Sequence, residues 1–234
     1  MSVPEIPFDR VAQRIASYGT DPIRRNPHQV FLAASRSGKS YLIRNGLMPL
    51  YKGSRTIVLD PKPAGGDRGW HGLNEIEELE SGTGLGPDGT PIWRINLKSK
   101  EHAARTLETI INEGCWVVVV DDSRRITEKP PGGWGLSGQV DGLLSLGAAI
   151  EITVIIVANS VVWATSSLRD QAMVQWLGRT SNTDQRMRFL DIAGLSRKMV
   201  GTLASLKPHE FVYADRWSPE GDVRLAITKL EGVS

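Results

Sequence analysis

The chain has 234 residues, of which 40% are hydrophobic and 23% charged, a composition typical of a globular protein with a sizeable core. Its 28 basic and 26 acidic residues give a net charge of +2, so a nucleic-acid-binding role would have to rest on local patches. The one cysteine, Cys115, excludes an intramolecular disulfide, and its apolar neighbours predict an inert thiol in the core. We find no apolar run of the ~20 residues that a bilayer requires and no signal peptide, so we expect a cytoplasmic protein without a membrane span.

Strand-like and helix-like segments alternate along the chain, which predicts an α/β fold with a mostly parallel sheet flanked by helices. Residues 1–28, with four prolines, are interpreted as an N-terminal arm or adaptor, and residues 29–234 as one domain. The predicted strands are 30–34, 56–59, 93–96, 115–120, 152–158 and 176–180, with a C-terminal hairpin of 210–214 and 223–228. The predicted helices are 39–48, a segment from Ser99 to Gly114, 143–150, a segment from Ser166 or Ser167 to Val174, 183–193 and 196–203. Residues 61–91 and 123–138 are predicted to be irregular.

A phosphate-binding motif lies between the first predicted strand and the first predicted helix of the domain. Gly38, Lys39 and Ser40 match the pattern G-x-x-x-x-G-K-[ST], with Ala33 in place of its first glycine. In such a loop the backbone N–H groups wrap the β-phosphate of ATP, the lysine reaches the β- and γ-phosphates, and the Ser40 hydroxyl binds Mg²⁺. The predicted nucleotide-binding residues are Ser35, Arg36, Ser37, Gly38, Lys39, Ser40 and Tyr41. The alternative is a chance Ser-Gly-Lys-Ser turn.

A second motif provides the carboxylates that a phosphate-loop enzyme needs. Residues 116–120, an apolar run typical of a buried strand, end in Asp121 and Asp122. Asp121 is predicted to hold Mg²⁺, and Asp122 to polarise the attacking water, where many ATPases place a glutamate. The alternative is that both residues merely cap a strand and begin a turn.

These motifs, in this order, resemble the FtsK/HerA superfamily of RecA-like, ring-forming ATPases that pump DNA. The resemblance covers roughly residues 28–215 and also includes Asp60-Pro61-Lys62, a strand ending in Asn159-Ser160, and Leu177-Gly178-Arg179-Thr180. The family includes chromosome-segregation translocases, type IV secretion coupling proteins and genome-packaging ATPases of some viruses. The short chain looks like a compact member of the phage-packaging kind.

The resemblance implies roles for further residues. Asn159 and Ser160 stand where the family has a polar sensor of the γ-phosphate, and Arg179 stands where it has an arginine that acts on the neighbouring subunit, with Arg186 as the alternative. It implies that residues 29–234 are a RecA-like ATPase domain, that ATP and Mg²⁺ are bound, and that copies assemble into a pentameric or hexameric ring. A viral member would work in the host cytoplasm at a portal or capsid vertex.

A basic segment after the acidic strand is the predicted contact with double-stranded DNA. Arg124, Arg125 and Lys129 offer cations for the phosphate backbone, which positions a protein without reading sequence. The glycines of residues 123–135 predict a mobile loop, and its place after the acidic strand would let nucleotide state move it. The alternative is a solvated surface loop.

The predicted function is an ATP-hydrolysing motor that translocates double-stranded DNA as a homo-oligomeric ring, as in viral genome packaging. One alternative is a phosphate-loop kinase acting on a nucleotide or small molecule, for which residues 61–91 lack the arginine-rich lid. Another is a nucleotide-dependent switch that hydrolyses ATP weakly, which the aspartate at position 122 would permit.

Overall fold

The computed structural model of the chain describes residues 3–20, 27–51, 53–62, 70, 72–80, 92–147, 149–160, 166–218 and 224–230. Within these residues, nine strands form one sheet. The strands are β1 (His28–Leu32), β2 (Arg55–Asp60), β3 (Asn74–Ile76), β4 (Ile92–Asn96), β5 (Trp116–Val120), β6 (Thr153–Ala158), β7 (Ala172–Gly178), β8 (Phe211–Asp215) and β9 (Leu225–Thr228).

Eight α-helices lie in the same part of the chain, together with short 3₁₀ segments at Tyr18–Thr20, Met48–Tyr51 and Arg197–Met199 and a π-helical turn at Ile43–Leu47. The α-helices are α1 (Phe8–Ser17), α2 (Lys39–Leu42), α3 (Lys100–Glu113), α4 (Ser123–Thr127), α5 (Ser137–Leu146), α6 (Ser166–Gln171), α7 (Thr183–Ala193) and α8 (Val200–Ser205). A bilayer-spanning helix is not found among them, because none is both long and apolar enough.

The strand order is β3-β4-β2-β5-β6-β1-β7-β8-β9. Strands β3 to β7 in this order run parallel to their neighbours, whereas β7 with β8 and β8 with β9 pair antiparallel. The predicted α/β fold with a mostly parallel sheet and a C-terminal hairpin is therefore confirmed. The predicted turn at residues 219–222 of this hairpin lies outside the described residues.

The sheet buries two apolar layers, one on each face. On one face, residues of α3 to α8 such as Leu107, Leu143 and Phe189 pack on the strands. On the other face, α1 and the helical segment 39–51 pack on them, through side chains such as Val11 and Leu47. The central strands β5 and β6 are covered on both sides and are apolar except for Thr153, as in parallel sheets generally.

Several predicted bounds are wrong. The helix predicted to end at Val174 stops at Gln171, because residues 172–178 form β7 between β1 and β8. The helix predicted over 39–48 is α-helical only over Lys39–Leu42, and a π-helical turn and a 3₁₀ segment that includes Pro49 carry the helical path on to Tyr51. Cys115 is exposed rather than buried, because its φ of 58° turns the chain before β5 begins at Trp116.

Helix α1 packs on the sheet through Phe8, Val11 and Ile15. A buried polar cluster fixes its C-terminal end, since Asp215 of β8 accepts hydrogen bonds from Tyr18 Oη at 2.6 Å and Arg14 Nε at 3.3 Å. Residues 3–20 thus share the core of the sheet, and the division of the chain at residues 28 and 29 stays a prediction.

The first residue of β1, His28, makes stability depend on pH. Its Nε2–H donates to the Leu144 carbonyl at 3.0 Å, and its Nδ1 accepts from the Val154 N–H at 3.1 Å, a pattern that only the neutral ring satisfies. Burial lowers the pKa of His28 from the ordinary 6.5 to about 4. Between about pH 4 and pH 6.5, His28 is therefore protonated in the unfolded chain and neutral in the folded chain.

We expect the contribution of His28 to the free energy of unfolding to be fully present above pH 6.5. This contribution should fall by roughly 3 kcal/mol as the pH drops to about 4. Urea unfolding of the wild-type chain and of His28→Asn, which keeps an acceptor near Nδ1 but does not titrate, isolates this effect. The wild-type free energy of unfolding should fall more steeply across the window. Equal slopes for the two proteins would contradict the assignment.

Candidate nucleotide-binding and catalytic site

The predicted phosphate loop connects β1 to α2 and has the backbone that its motif requires. Gly38 has a φ of +94°, which a residue with a side chain adopts only under strain, and Lys39 opens the helix directly after it. A Cβ on Gly38 would also lie 2.3 Å from His209 Nδ1. The His209 N–H donates to the Ser37 carbonyl at 3.2 Å, so the loop before β8 closes against the phosphate loop.

Lys39 is buried, and its ammonium donates to two carbonyls of the loop, Ala33 and Ala34, at 2.8 Å each. It also donates to Asn159 Oδ1 at 2.7 Å. The structure thus brings the predicted sensor residue at the end of β6 onto the predicted phosphate-binding lysine. This arrangement places one cation and one amide side by side where the motif predicts the γ-phosphate.

Ala33, which departs from the motif, is accommodated by a glycine on the neighbouring strand. A Cβ on Gly178 of β7 would lie 2.6 Å from Ala33 Cβ and 2.9 Å from Phe211 Cε1. The motif has a glycine where this chain has Ala33. The additional methyl group of Ala33 fits because position 178, its neighbour on β7, is a glycine.

We expect Gly178→Ala to lower the free energy of unfolding by about 1–3 kcal/mol through overpacking. Adding Ala33→Gly should recover part of the loss, because it removes one of the two close contacts and leaves the one with Phe211. Urea unfolding of the two single variants and the double variant measures the coupling. A double variant no more stable than Gly178→Ala would show that the two positions do not compensate each other.

The two predicted carboxylates lie at the carboxyl end of β5, which β6 separates from β1. Asp121 is 3% exposed, and its Oδ1 accepts the Asp122 N–H at 2.9 Å. Its Oδ2 accepts from Lys62 Nζ at 2.7 Å and from Trp70 Nε1 at 2.8 Å. Ser123 Oγ donates to the Val157 carbonyl at 2.8 Å, which ties this strand end to β6.

Asp122 is half-buried and has a left-handed backbone, with φ 40° and ψ 48°. Burial raises the pKa of its carboxyl above the ordinary value, and the Asp121 carboxylate acts in the same direction, while the Lys62 ammonium opposes both. A raised pKa makes a carboxylate a better proton acceptor near neutral pH. The direction of this pKa shift agrees with the predicted role of Asp122 in polarising water.

The residues at this edge fit an ATP-bound magnesium ion. In the part of the chain that the structure describes, no three Asp, Glu, His or Cys side chains come together to hold a metal. The half-buried Ser40 and the buried Asp121 would supply two oxygen ligands to such an ion, and phosphates and water would supply the rest. Ser37 Oγ is buried without a hydrogen-bond partner among the described residues, as expected of a donor that faces a missing acceptor.

Three site residues were not predicted as such from the sequence. Lys62 and Trp70 both contact Asp121, and Arg94 of β4 donates to Asp60 Oδ2 from Nε at 3.1 Å and from Nη2 at 2.8 Å. Lys62 belongs to the quoted Asp-Pro-Lys motif, but the motif alone gave no partner for its side chain. Trp70 is completely buried, and its indole N–H is one of the donors to the Asp121 carboxylate.

The two candidate arginines lie after β7. The Arg179 carbonyl accepts the Ala34 N–H at 3.0 Å, which places its backbone beside the phosphate loop, and its side chain is exposed. Arg186, in the first turn of α7, donates to Thr183 Oγ1 at 2.7 Å and to the Ser181 carbonyl at 3.4 Å. Arg186 thus folds back on its own helix, whereas Arg179 presents its guanidinium at the surface.

The predicted DNA-binding segment is not a loop throughout, because Arg124 and Arg125 lie on α4. The segment folds back on this helix through hydrogen bonds from the Trp134 N–H to the Arg125 carbonyl and from the Leu136 N–H to the Ile126 carbonyl, both 2.9 Å. The prediction of a loop was therefore wrong for residues 123–127. Arg124 pairs with Glu128 at 2.7 Å, Arg125 lies 5.6 Å from the Trp134 ring centre, and Lys129 is exposed.

Comparison with solved structures gives matches over most of the chain. The genome packaging NTPase B204 from Sulfolobus turreted icosahedral virus 2, in complex with AMPPCP, matches with a TM-score of 0.63 and 15% identity over 88% of this chain and 98% of that one. VirB4 of Thermoanaerobacter pseudethanolicus matches with a TM-score of 0.64 and 12% identity over 92% of each chain. The pCW3 conjugation coupling protein TcpA, with ATPγS, matches with a TM-score of 0.58 and 15% identity over 87% of this chain and 60% of that one.

No protein-family model and no curated protein sequence matches the chain. At 12–15% identity these structural likenesses establish the fold. They include a viral genome packaging NTPase and a conjugation coupling protein, two of the kinds of protein to which the sequence motifs pointed. The chain has the α/β fold of P-loop NTPases of this kind.

Proposed function

We propose that the chain is an ATPase that drives double-stranded DNA through a homo-oligomeric ring, in the manner of viral genome packaging. One observation carries the proposal: Lys39 contacts Asn159, which follows β6, and Asp121 and Asp122 follow β5, the parallel neighbour of β6. The likeness in fold to a genome packaging NTPase bound to ATP analogues supports it. Such a motor would work in the host cytoplasm at a portal or capsid vertex.

Different groups of the chain have different roles in the proposed hydrolysis of ATP. The N–H groups of residues 35–41 and the Lys39 ammonium bind the phosphates, and Asn159 orients the Lys39 ammonium through its amide oxygen. Asp122 accepts a proton from the attacking water. Mg²⁺, when bound by Ser40 and Asp121, neutralises charge on the β- and γ-phosphates.

Arg179 is proposed to complete the site of the neighbouring subunit. A guanidinium that neutralises charge at the γ-phosphate contributes on the order of 10³-fold in such enzymes. Its exposed side chain, on a backbone that contacts the phosphate loop, supports this role over Arg186. Arg179→Ala and Asp122→Asn chains should each be inactive alone, and mixtures should regain activity where an intact Arg179 meets an intact Asp122. A fully active Arg179→Ala chain would refute the role.

Arg124, Arg125 and Lys129 are proposed to contact DNA phosphates. Replacing all three by glutamine should leave basal ATPase unchanged, abolish its stimulation by DNA, and flatten the salt dependence of DNA binding. A matched control replaces Lys98, Lys100 and Arg105, which are exposed and carry the same charge. Unchanged DNA affinity and salt slope in the first triple variant would place the DNA contact elsewhere.

Phosphate release with and without double-stranded DNA tests the function as a whole. Stimulation by DNA is the expected result. Phosphate transfer to a small acceptor would identify a kinase instead. Tight ATP binding without either response would identify a nucleotide-dependent switch.

A further inference from the structure

Lys62 is held in place by polar groups at the ends of two strands. Its N–H donates to Asp60 Oδ1 at 3.0 Å, and its carbonyl accepts from Asn96 Nδ2 at 2.5 Å. Asp60 is itself fixed by the two-pronged contact with Arg94. The backbone of Lys62 is therefore positioned by β2 and β4, which leaves its side chain to reach across to β5.

The side chain of Lys62 ends on Asp121. Its ammonium and the indole N–H of the fully buried Trp70 both donate to Oδ2, and the Asp122 N–H donates to Oδ1. A carboxylate has about four acceptor positions, so among the described residues only one, on Oδ1, is left. The carboxylate assigned to the metal is already paired with a cation.

We propose that Lys62 is the resident counter-ion of Asp121, which keeps a divalent metal off this carboxylate until a nucleotide brings its phosphates. The inference rests on the proposed function, because that function assigns Asp121 to the metal. Asp121 and Asp122 together carry two negative charges, which alone would attract a divalent cation. The Lys62 ammonium, 2.7 Å from Asp121, cancels one of them.

The phosphates of ATP change this balance, because they add several negative charges and oxygen ligands at the same edge. Metal binding then no longer depends on the two carboxylates alone. Lys62 and Trp70 also occupy Oδ2, so that the remaining acceptor position on Oδ1 is where the metal or its bound water would contact Asp121. Lys62 is thus a positioning residue, and its effect on metal binding without nucleotide separates it from a residue that only stabilises the fold.

Mn²⁺ binding to the nucleotide-free full chain, followed by electron paramagnetic resonance, tests the proposal. We expect Lys62→Met to bind Mn²⁺ at least about tenfold more tightly than the wild type, because one nearby positive charge is removed. Lys98→Met, which removes an exposed lysine that lies 3.9 Å from Glu77, is the matched control and should bind as the wild type does. Adding Asp121→Asn to Lys62→Met should abolish the gain.

The charge-preserving variant Lys62→Arg should bind Mn²⁺ within about twofold of the wild type if charge is the cause. Unchanged or weaker binding in Lys62→Met, or an equal gain in Lys62→Arg, would overturn the proposal. Lys62→Gln replaces Lys62→Met if the latter fails to fold, with the same expected gain. The Mn²⁺ assay does not depend on ATP hydrolysis. If Lys62→Met binds Mn²⁺ more tightly but the wild-type chain hydrolyses no ATP, only the proposed function is refuted. If the wild-type chain hydrolyses ATP but Lys62→Met binds Mn²⁺ no more tightly, only this inference is refuted.

Discussion

Lys39→Ala is expected to lower ATP hydrolysis by at least about a thousandfold. The Lys39 ammonium is the cation that the structure buries within the phosphate loop, between the carbonyls of residues 33 and 34 and the Asn159 amide. Removing it deprives the γ-phosphate of the charge that stabilises its transfer. Phosphate release at saturating ATP and Mg²⁺ is the measurement.

Lys198→Ala is the control for this variant, since Lys198 is exposed and lies in the 3₁₀ segment before α8. It should hydrolyse ATP as the wild type does. Thermal melts of both variants show whether the loss arises from unfolding. Turnover near the wild-type rate in a folded Lys39→Ala chain would refute the assignment of the phosphate loop.

Asp122→Asn is expected to bind ATP with unchanged affinity and to hydrolyse it at least about a hundredfold more slowly. The amide cannot accept the proton of the attacking water, and general-base catalysis contributes about 10²–10⁴-fold. Asparagine tolerates the left-handed backbone at this position, where φ is 40°, so the substitution should not disturb the turn after β5. A fluorescent ATP analogue measures binding, and phosphate release measures turnover.

Asp122→Ala provides a second comparison for the same position. Alanine also lacks the carboxylate but pays more strain in a left-handed conformation, so it should be as inactive as Asp122→Asn and less stable. Normal hydrolysis by Asp122→Asn would move the water-polarising role to another group. Asn159 and Ser160, at the end of β6, are then the next candidates.

The sequence predicted the start and end of a helix correctly where residues at the helix termini cap it. The predicted start and end of α3 are correct because Ser99 Oγ accepts the His102 N–H and Gly114 ends the helix with a φ of 64°. The bounds of α7 were also predicted correctly, and there Asn182 accepts the Gln185 N–H. In both cases the determining contacts span three or four residues.

Elements that depend on distant partners were predicted less well. Residues 172–174 were predicted to end a helix, but pairing of this segment with β1 on one side and β8 on the other makes it strand. Residues 123–127 read as loop because of the glycines and prolines that follow them. They form α4 because the chain after them returns to hydrogen-bond with the helix carbonyls.

In the candidate site, too, contiguous motifs could be predicted from the sequence and contacts between distant residues could not. Phosphate loop and acidic strand could be found because each motif is contiguous, and the meeting of Lys39 with Asn159 follows from neighbouring parallel strands that end at one edge. The contacts of Lys62 and Trp70 with Asp121 join residues 59 and 51 positions apart. The Asp-Pro-Lys motif indicates no partner for Lys62, and no pattern around position 70 indicates one for Trp70, so both contacts with Asp121 are visible only in the structure.

Displacement of a third strand from triplex DNA shows whether the chain moves along the duplex, because a moving motor strips the bound strand as it passes. With ATP and Mg²⁺ the wild-type chain should release the third strand, and Lys39→Ala and the triple variant of Arg124, Arg125 and Lys129 should leave it bound. A non-hydrolysable ATP analogue should give no release. A wild-type chain that hydrolyses ATP in the presence of the duplex yet leaves the triplex intact would contradict the account.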